Sequence, residues 1–144
     1  MRIVLGYVAA VIVMLALGAF TATQYDLSAL AAVGAPVSMD QRIAMGLSNI
    51  PAMAQIYGSL IAVGFLIAFV VAGLTVKPLP LPRPVIYAAA GLVAIAAFHL
   101  LSEPVFFGVP LISGARSLSG LTAQAAMGAV AGLVFALITR PRLA

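Results

Sequence analysis

The chain has 144 residues, of which 65% are hydrophobic and only 7% charged, with a formal net charge of +4 from seven basic and three acidic side chains. A soluble domain carries roughly a quarter charged residues, so a fold this apolar, at a mean hydropathy of +1.24, is unable to cover its own surface and belongs in a bilayer. So few basic residues, scattered singly, exclude a nucleic-acid footprint, and the lack of cysteine excludes disulfides, thiolate nucleophiles and Cys-based metal sites.

A helix needs about 20 apolar residues to cross the hydrocarbon core, and four segments qualify. The first is Ile3 to Thr23, which is uncharged. It is longer than a signal-peptide core, and no clear cleavage site follows it, so it is expected to be a retained span. A longer connection, Gln24 to Gln55, comes next. Within it "SMDQRIAMGLSNI" opens with a capping-box pattern, Ser38 and Gln41. Asp40 in its first turn suits the helix dipole. Ile43, Leu47 and Ile50 share one face, so a short amphipathic helix over about 39–47 is expected to lie in the interface or fold over the bundle, as a connector or a lid.

The second span is read as 50–76, with Asn49 as N-cap and Pro51 in the first turn. "KPLPLPRP", Lys77 to Pro84, has four prolines at alternate positions. It reads as a stiff extended spacer whose Lys77 and Arg83 face anionic lipid. The third span, 85–102, is apolar until His99, the only histidine; Glu103, the only glutamate, follows four residues on. The connection from Ser102 to Gly120 carries Phe106, Phe107, Val109, Leu111 and Ile112. These are too apolar to stand in water as one patch, and are expected to dip into the bundle mouth or meet a partner chain or lipid. The fourth span, 118–139, holds one polar residue at depth, Gln124.

The positive-inside rule orients these spans. With both termini cytoplasmic, Arg2, Lys77, Arg83, Arg140 and Arg142 lie inside. Arg42, Arg116 and all three acids, Asp26, Asp40 and Glu103, lie outside. Tyr7 and Tyr87 then fall at the inner boundary, and Tyr25 and Tyr57 at the outer one, as an interfacial belt requires. The expected architecture is an all-α membrane protein: four transmembrane helices in one compact antiparallel bundle, multi-pass in a bacterial inner (plasma) membrane. The Ala, Gly and Val bias suits a bacterial genome rich in G and C.

Small residues every four positions let helix backbones approach closely in lipid. Gly120, Gln124, Gly128, Gly132 and Ala136 make such a stripe in the last span, Gly64, Ala68 and Ala72 in the second, and Gly6, Ala10 and Gly18 in the first. Gly128, Gly132, Gly64 and Ala68 are therefore the expected packing residues, within the bundle or in self-association or a larger membrane complex. An amide at depth needs a partner, so Gln124 is expected to bond across helices.

His99 and Glu103 share a helix face, and ionisable groups within a span usually mark a site. The candidate ligand-binding set is His99, Glu103, Tyr25, Asp26, Gln124 and Arg116. The alternative for His99 is structural, with Glu103, Tyr25 or a loop carbonyl as its partner. Two side chains are too few for a closed zinc site, and no second histidine is present to complete a haem pair, so no metal is assigned and any cofactor is unknown. Nothing resembles a nucleophile elbow or phosphate loop, so no enzymatic activity is expected. The leading expectation is a small non-enzymatic subunit or accessory protein that binds through its small-residue stripes and apolar outer loops. The runner-up is an oligomeric small-solute or proton-coupled permease with a site at the outer mouth.

Overall fold

The computed structural model describes residues 1–105 and 112–140, and at 103–105 and 113 the backbone only. The sequence-based expectations for the Glu103 side chain, for Phe106, Phe107, Val109 and Leu111, and for Arg142 lie outside the described residues. Five α-helices run in chain order: α1 (Arg2–Ala32), α2 (Met39–Met53), α3 (Ser59–Thr75), α4 (Arg83–Val105) and α5 (Leu118–Ile138). A π-helical turn, Ala54–Gly58, joins α2 to α3, and a 3-10 turn, Ser113–Ala115, precedes α5. Four helical runs are long and apolar enough to cross a membrane: α1, the continuous Met39–Thr75, Arg83–Ser102 within α4, and α5.

The first connection departs from expectation. Helix α1 does not stop near Thr23; it runs on to Ala32, because Leu27 to Ala32 are mostly good helix formers. It ends where Gly34 takes a φ of 90°, a left-handed conformation that costs glycine little. Ser38 then caps α2 with both bonds of the capping box, its Oγ accepting from the Gln41 amide. But α2 is not a short separate helix. It is one 37-residue run with α3, and its first part packs on the extension of α1. Gly46 meets the Phe20 ring there, and Gln24 Nε2 donates to the Arg42 carbonyl at 3.1 Å. Consequently Asn49 is no N-cap: it sits mid-helix and donates to Thr23 Oγ1 at 2.9 Å. Pro51 likewise lies inside α2. Its missing N–H loosens the ladder three residues before the π turn begins.

Helix α5 is the central element, with α4 and α1 packed most extensively against it; α3 packs on α4 and more sparsely on α1. The α4–α5 seam depends on glycine. A Cβ on Gly91 would fall on the Gly128 carbonyl, and one on Gly132 would fall on the Tyr87 carbonyl, so backbone packs directly on backbone. Across the bundle, Phe69 of α3 stacks on Phe135 of α5 with centroids 4.5 Å apart, and Phe65 and Tyr87 complete the cluster. Arg83 closes this end. Its guanidinium donates to the Ala136 carbonyl at 2.8 Å and to Thr139 Oγ1 at 2.6 Å, over the Tyr87 ring. A cation there satisfies carbonyls that the last turn of α5 leaves open and suits the negative end of its dipole.

Helix α4 starts at Arg83 and reaches Val105, longer at both ends than the expected 85–102, and Pro104 does not break it. The proline-rich spacer is a turn after Thr75 followed by irregular chain to Pro82. In the connection before α5, Ile112 is 5% exposed within the core, and a Cβ on Gly114 would strike the backbone of Ala22. The described part of that connection therefore does tuck against α1.

Candidate functional site

A polar layer crosses the bundle toward the end where α4 finishes and α5 begins. Gln124, fully buried, donates from Nε2 to the Gly18 carbonyl at 2.8 Å and accepts the Tyr57 hydroxyl at 3.0 Å. Gly18 is small enough for both side chains to come in; a Cβ there would lie 2.9 Å from Tyr57 Oη. The π turn carries Tyr57 on α3's leading edge, so α1, α3 and α5 are tied at one point. Tyr57 was expected in an interfacial belt, yet it is 1% exposed. Burial of its ring with the hydroxyl held by an amide is the lower-energy arrangement in a dry interior. Tyr7 also turns inward, donating to the Ala62 carbonyl at 2.5 Å, and Tyr87 is buried in the aromatic cluster.

His99 lies one ring away, its imidazole centroid 6.4 Å from that of Tyr57 and 5.0 Å from that of Phe98. It is 6% exposed, and its Nε2 has no hydrogen-bond partner among the described residues. The neighbours proposed for it are engaged elsewhere or undescribed: Tyr25 Oη donates to the Ser119 carbonyl at 3.1 Å, and the Glu103 side chain lies outside the described residues. The loop carbonyls of residues 106–111 likewise lie outside the described residues; a buried nitrogen left without any partner would cost about 1–3 kcal/mol. His99 and Arg116 do share a cavity of about 380 Å³, bounded also by Leu100, Ser117, Leu118 and Leu121. Of the candidate set, then, His99 and Arg116 meet at that cavity. Gln124 belongs to the structural layer beneath it, Tyr25 braces the start of α5, and Asp26 is half-buried on α1. Among the described residues no cluster of three metal-ligating side chains exists.

A second feature is a long apolar groove of about 790 Å³ between α3 and α4, running from Leu101 at one end to Leu79 at the other. Small residues form its floor: Gly64, Ala68 and Ala72 from α3, and Ala90, Ala94 and Ala97 from α4. The stripes of the sequence thus divide. Gly128 and Gly132 are consumed inside the chain, whereas Gly64 has nothing within 4 Å of where a Cβ would stand and Ala68 is only half-buried. Val63, Ile67, Val71 and Val93, all more than half exposed, are the groove's rims. The chain matches no family model, no curated protein and no solved structure.

Two contributors escaped the sequence reading. Tyr57 as partner of Gln124, and Asn49 paired with Thr23, both depend on which residues of remote helices come level. The only available signal was chemical: a lone amide at depth calls for a hydroxyl or carbonyl nearby.

Proposed function

We propose that this chain is a small non-enzymatic integral membrane protein, an accessory subunit that receives a transmembrane helix of a partner or of a second copy in the α3–α4 groove. On this reading it sits in a bacterial plasma membrane as an antiparallel bundle with both termini cytoplasmic. The observation that carries it is the groove itself, floored by small residues, with nothing among the described residues within 4 Å of where a Gly64 Cβ would stand. Small residues favour association in lipid because a neighbouring backbone gains dispersion contacts along its length. Where Gly128 has such a neighbour in Gly91, Gly64 awaits one.

Because the chain has no native cysteine, Ile67→Cys and Val93→Cys on the rims report contacts cleanly in native membranes. Short bifunctional maleimides should then yield a discrete crosslinked species, and Gly64→Leu with Ala68→Leu should abolish it while helicity is kept. Monomer alone at every crosslinker length would sink the reading, leaving the groove to lipid. The second reading, an oligomeric permease for a small solute or proton, is favoured by one observation, the His99 nitrogen that has no partner among the described residues, beside a part-polar cavity.

A further inference from the structure

The cavity at His99 has a chemical bias independent of the groove. One wall is Arg116, with an exposed guanidinium. Another is the start of α5, where Ser117 caps the helix by accepting from the Gly120 amide at 3.0 Å. The first turn of a 21-residue helix adds partial positive charge there. The floor is His99, whose Nε2 is the one buried side-chain polar atom left without a partner among the described residues. Among those residues no acid lines the space. The remaining wall is apolar, Leu100, Leu118 and Leu121, and the first two are 60% and 77% exposed on the outside of the helices. The cavity is therefore cationic on one side and continuous with a greasy exterior on the other.

We infer that this cavity binds a phosphate group, gripped by the Arg116 guanidinium and the first turn of α5 and hydrogen-bonded by the His99 imidazole. Arginine's planar fork matches the oxygens of a phosphate, and helix N-termini are ready anion sites. A donor on the floor distinguishes the site from a bare helix end, since a phosphate oxygen relieves the orphaned nitrogen. The phosphate can be a lipid headgroup, its chains lying along Leu100 and Leu118, or a free anion entering from water.

The test uses the purified full-length protein and native mass spectrometry after exchange with phosphatidylglycerol or phosphatidylcholine, each with and without millimolar inorganic phosphate. One tightly retained phosphatidylglycerol, unmoved by inorganic phosphate, identifies a lipid headgroup; direct retention or competition by inorganic phosphate identifies a free anion. In either case Arg116→Gln, a change at an exposed position, should weaken retention by about tenfold, the scale of one charged hydrogen bond. His99→Phe should do the same with the circular dichroism spectrum unchanged. Lys77→Gln, in the turn between α3 and α4 at the other end of the bundle, should have no effect. Retention of neither probe overturns the assignment, as does an equal loss in the Arg116 and Lys77 variants. If His99→Phe fails to fold, Arg116→Gln decides alone. Glu103→Gln should leave retention intact or raise it; abolition there would mean that the cavity serves a cation.

Discussion

Gln124 shows what one side chain does for this bundle. In a dry interior the alternative to an internal hydrogen bond is an unsatisfied amide, so its two bonds, to Gly18 and Tyr57, specify how three helices align. Tyr57→Phe removes one of them and should cost about 1 kcal/mol. Gln124→Leu removes both and should cost about 1–2 kcal/mol. Reversible unfolding in mixed micelles measures both, and strict additivity of the two in the double variant would refute their coupling. The glycines separate in the same way. Gly132→Ala drives a methyl into the Tyr87 carbonyl and should destabilise by about 1–3 kcal/mol. Gly64→Ala meets nothing and should be neutral, or stabilising by up to about 1 kcal/mol through helix propensity. Equal losses at both glycines would contradict the asymmetry between the packed seam and the open groove. From the sequence the two belong to equivalent stripes; only the neighbour across the gap tells them apart.

Helices were legible where local chemistry speaks. The capping box at Ser38 was readable because its partners are three residues apart, and both of its bonds form. Ser38→Ala should cost about 1 kcal/mol, visible as faster amide exchange over residues 39–42 with α4 and α5 unaffected. Unchanged protection at those amides would show that packing on α1, not the cap, holds the start of α2. Boundaries were less legible. The sequence pattern separates 39–47 from 50–76, since polarity drops after Asn49 and Pro51 intervenes. Yet α2 and α3 continue through the π turn, whose one wide turn lets Tyr57 point inward while α2 keeps its face on α1. Removing Pro51 (Pro51→Ala) should restore a ladder bond and stiffen this junction, lowering amide exchange at 54–58.

For the whole molecule, length is the informative quantity. At about 1.5 Å per residue, the 37-residue run Met39–Thr75 spans about 55 Å, well beyond a hydrocarbon core of about 30 Å. The surplus lies in the paired ends of α1 and α2, which should stand clear of the lipid as a helical hairpin. Membrane-impermeant maleimide should therefore label Ser28→Cys and Gln41→Cys, but not Ile67→Cys. Under the proposed topology that labelling comes from the side opposite the two termini. Labelling of a C-terminal tag and of Ser28→Cys from one and the same side would break the topology.

Sequence pattern alone determined the four long apolar helices, because uncharged runs of about 20 residues have the length of a spanning helix and lack the alternating polarity of a barrel strand. Periodicity alone determined that small residues line helix faces and that Gln124 needs a partner. Tertiary structure decided which stripe is covered and which is open, that Tyr57 faces into the bundle, and that Arg116 joins His99 at one cavity. Those outcomes depend on the rotation and stagger of remote helices. In a chain apolar on every face, no local pattern encodes them, because each face is equally content against lipid or protein until backbones meet.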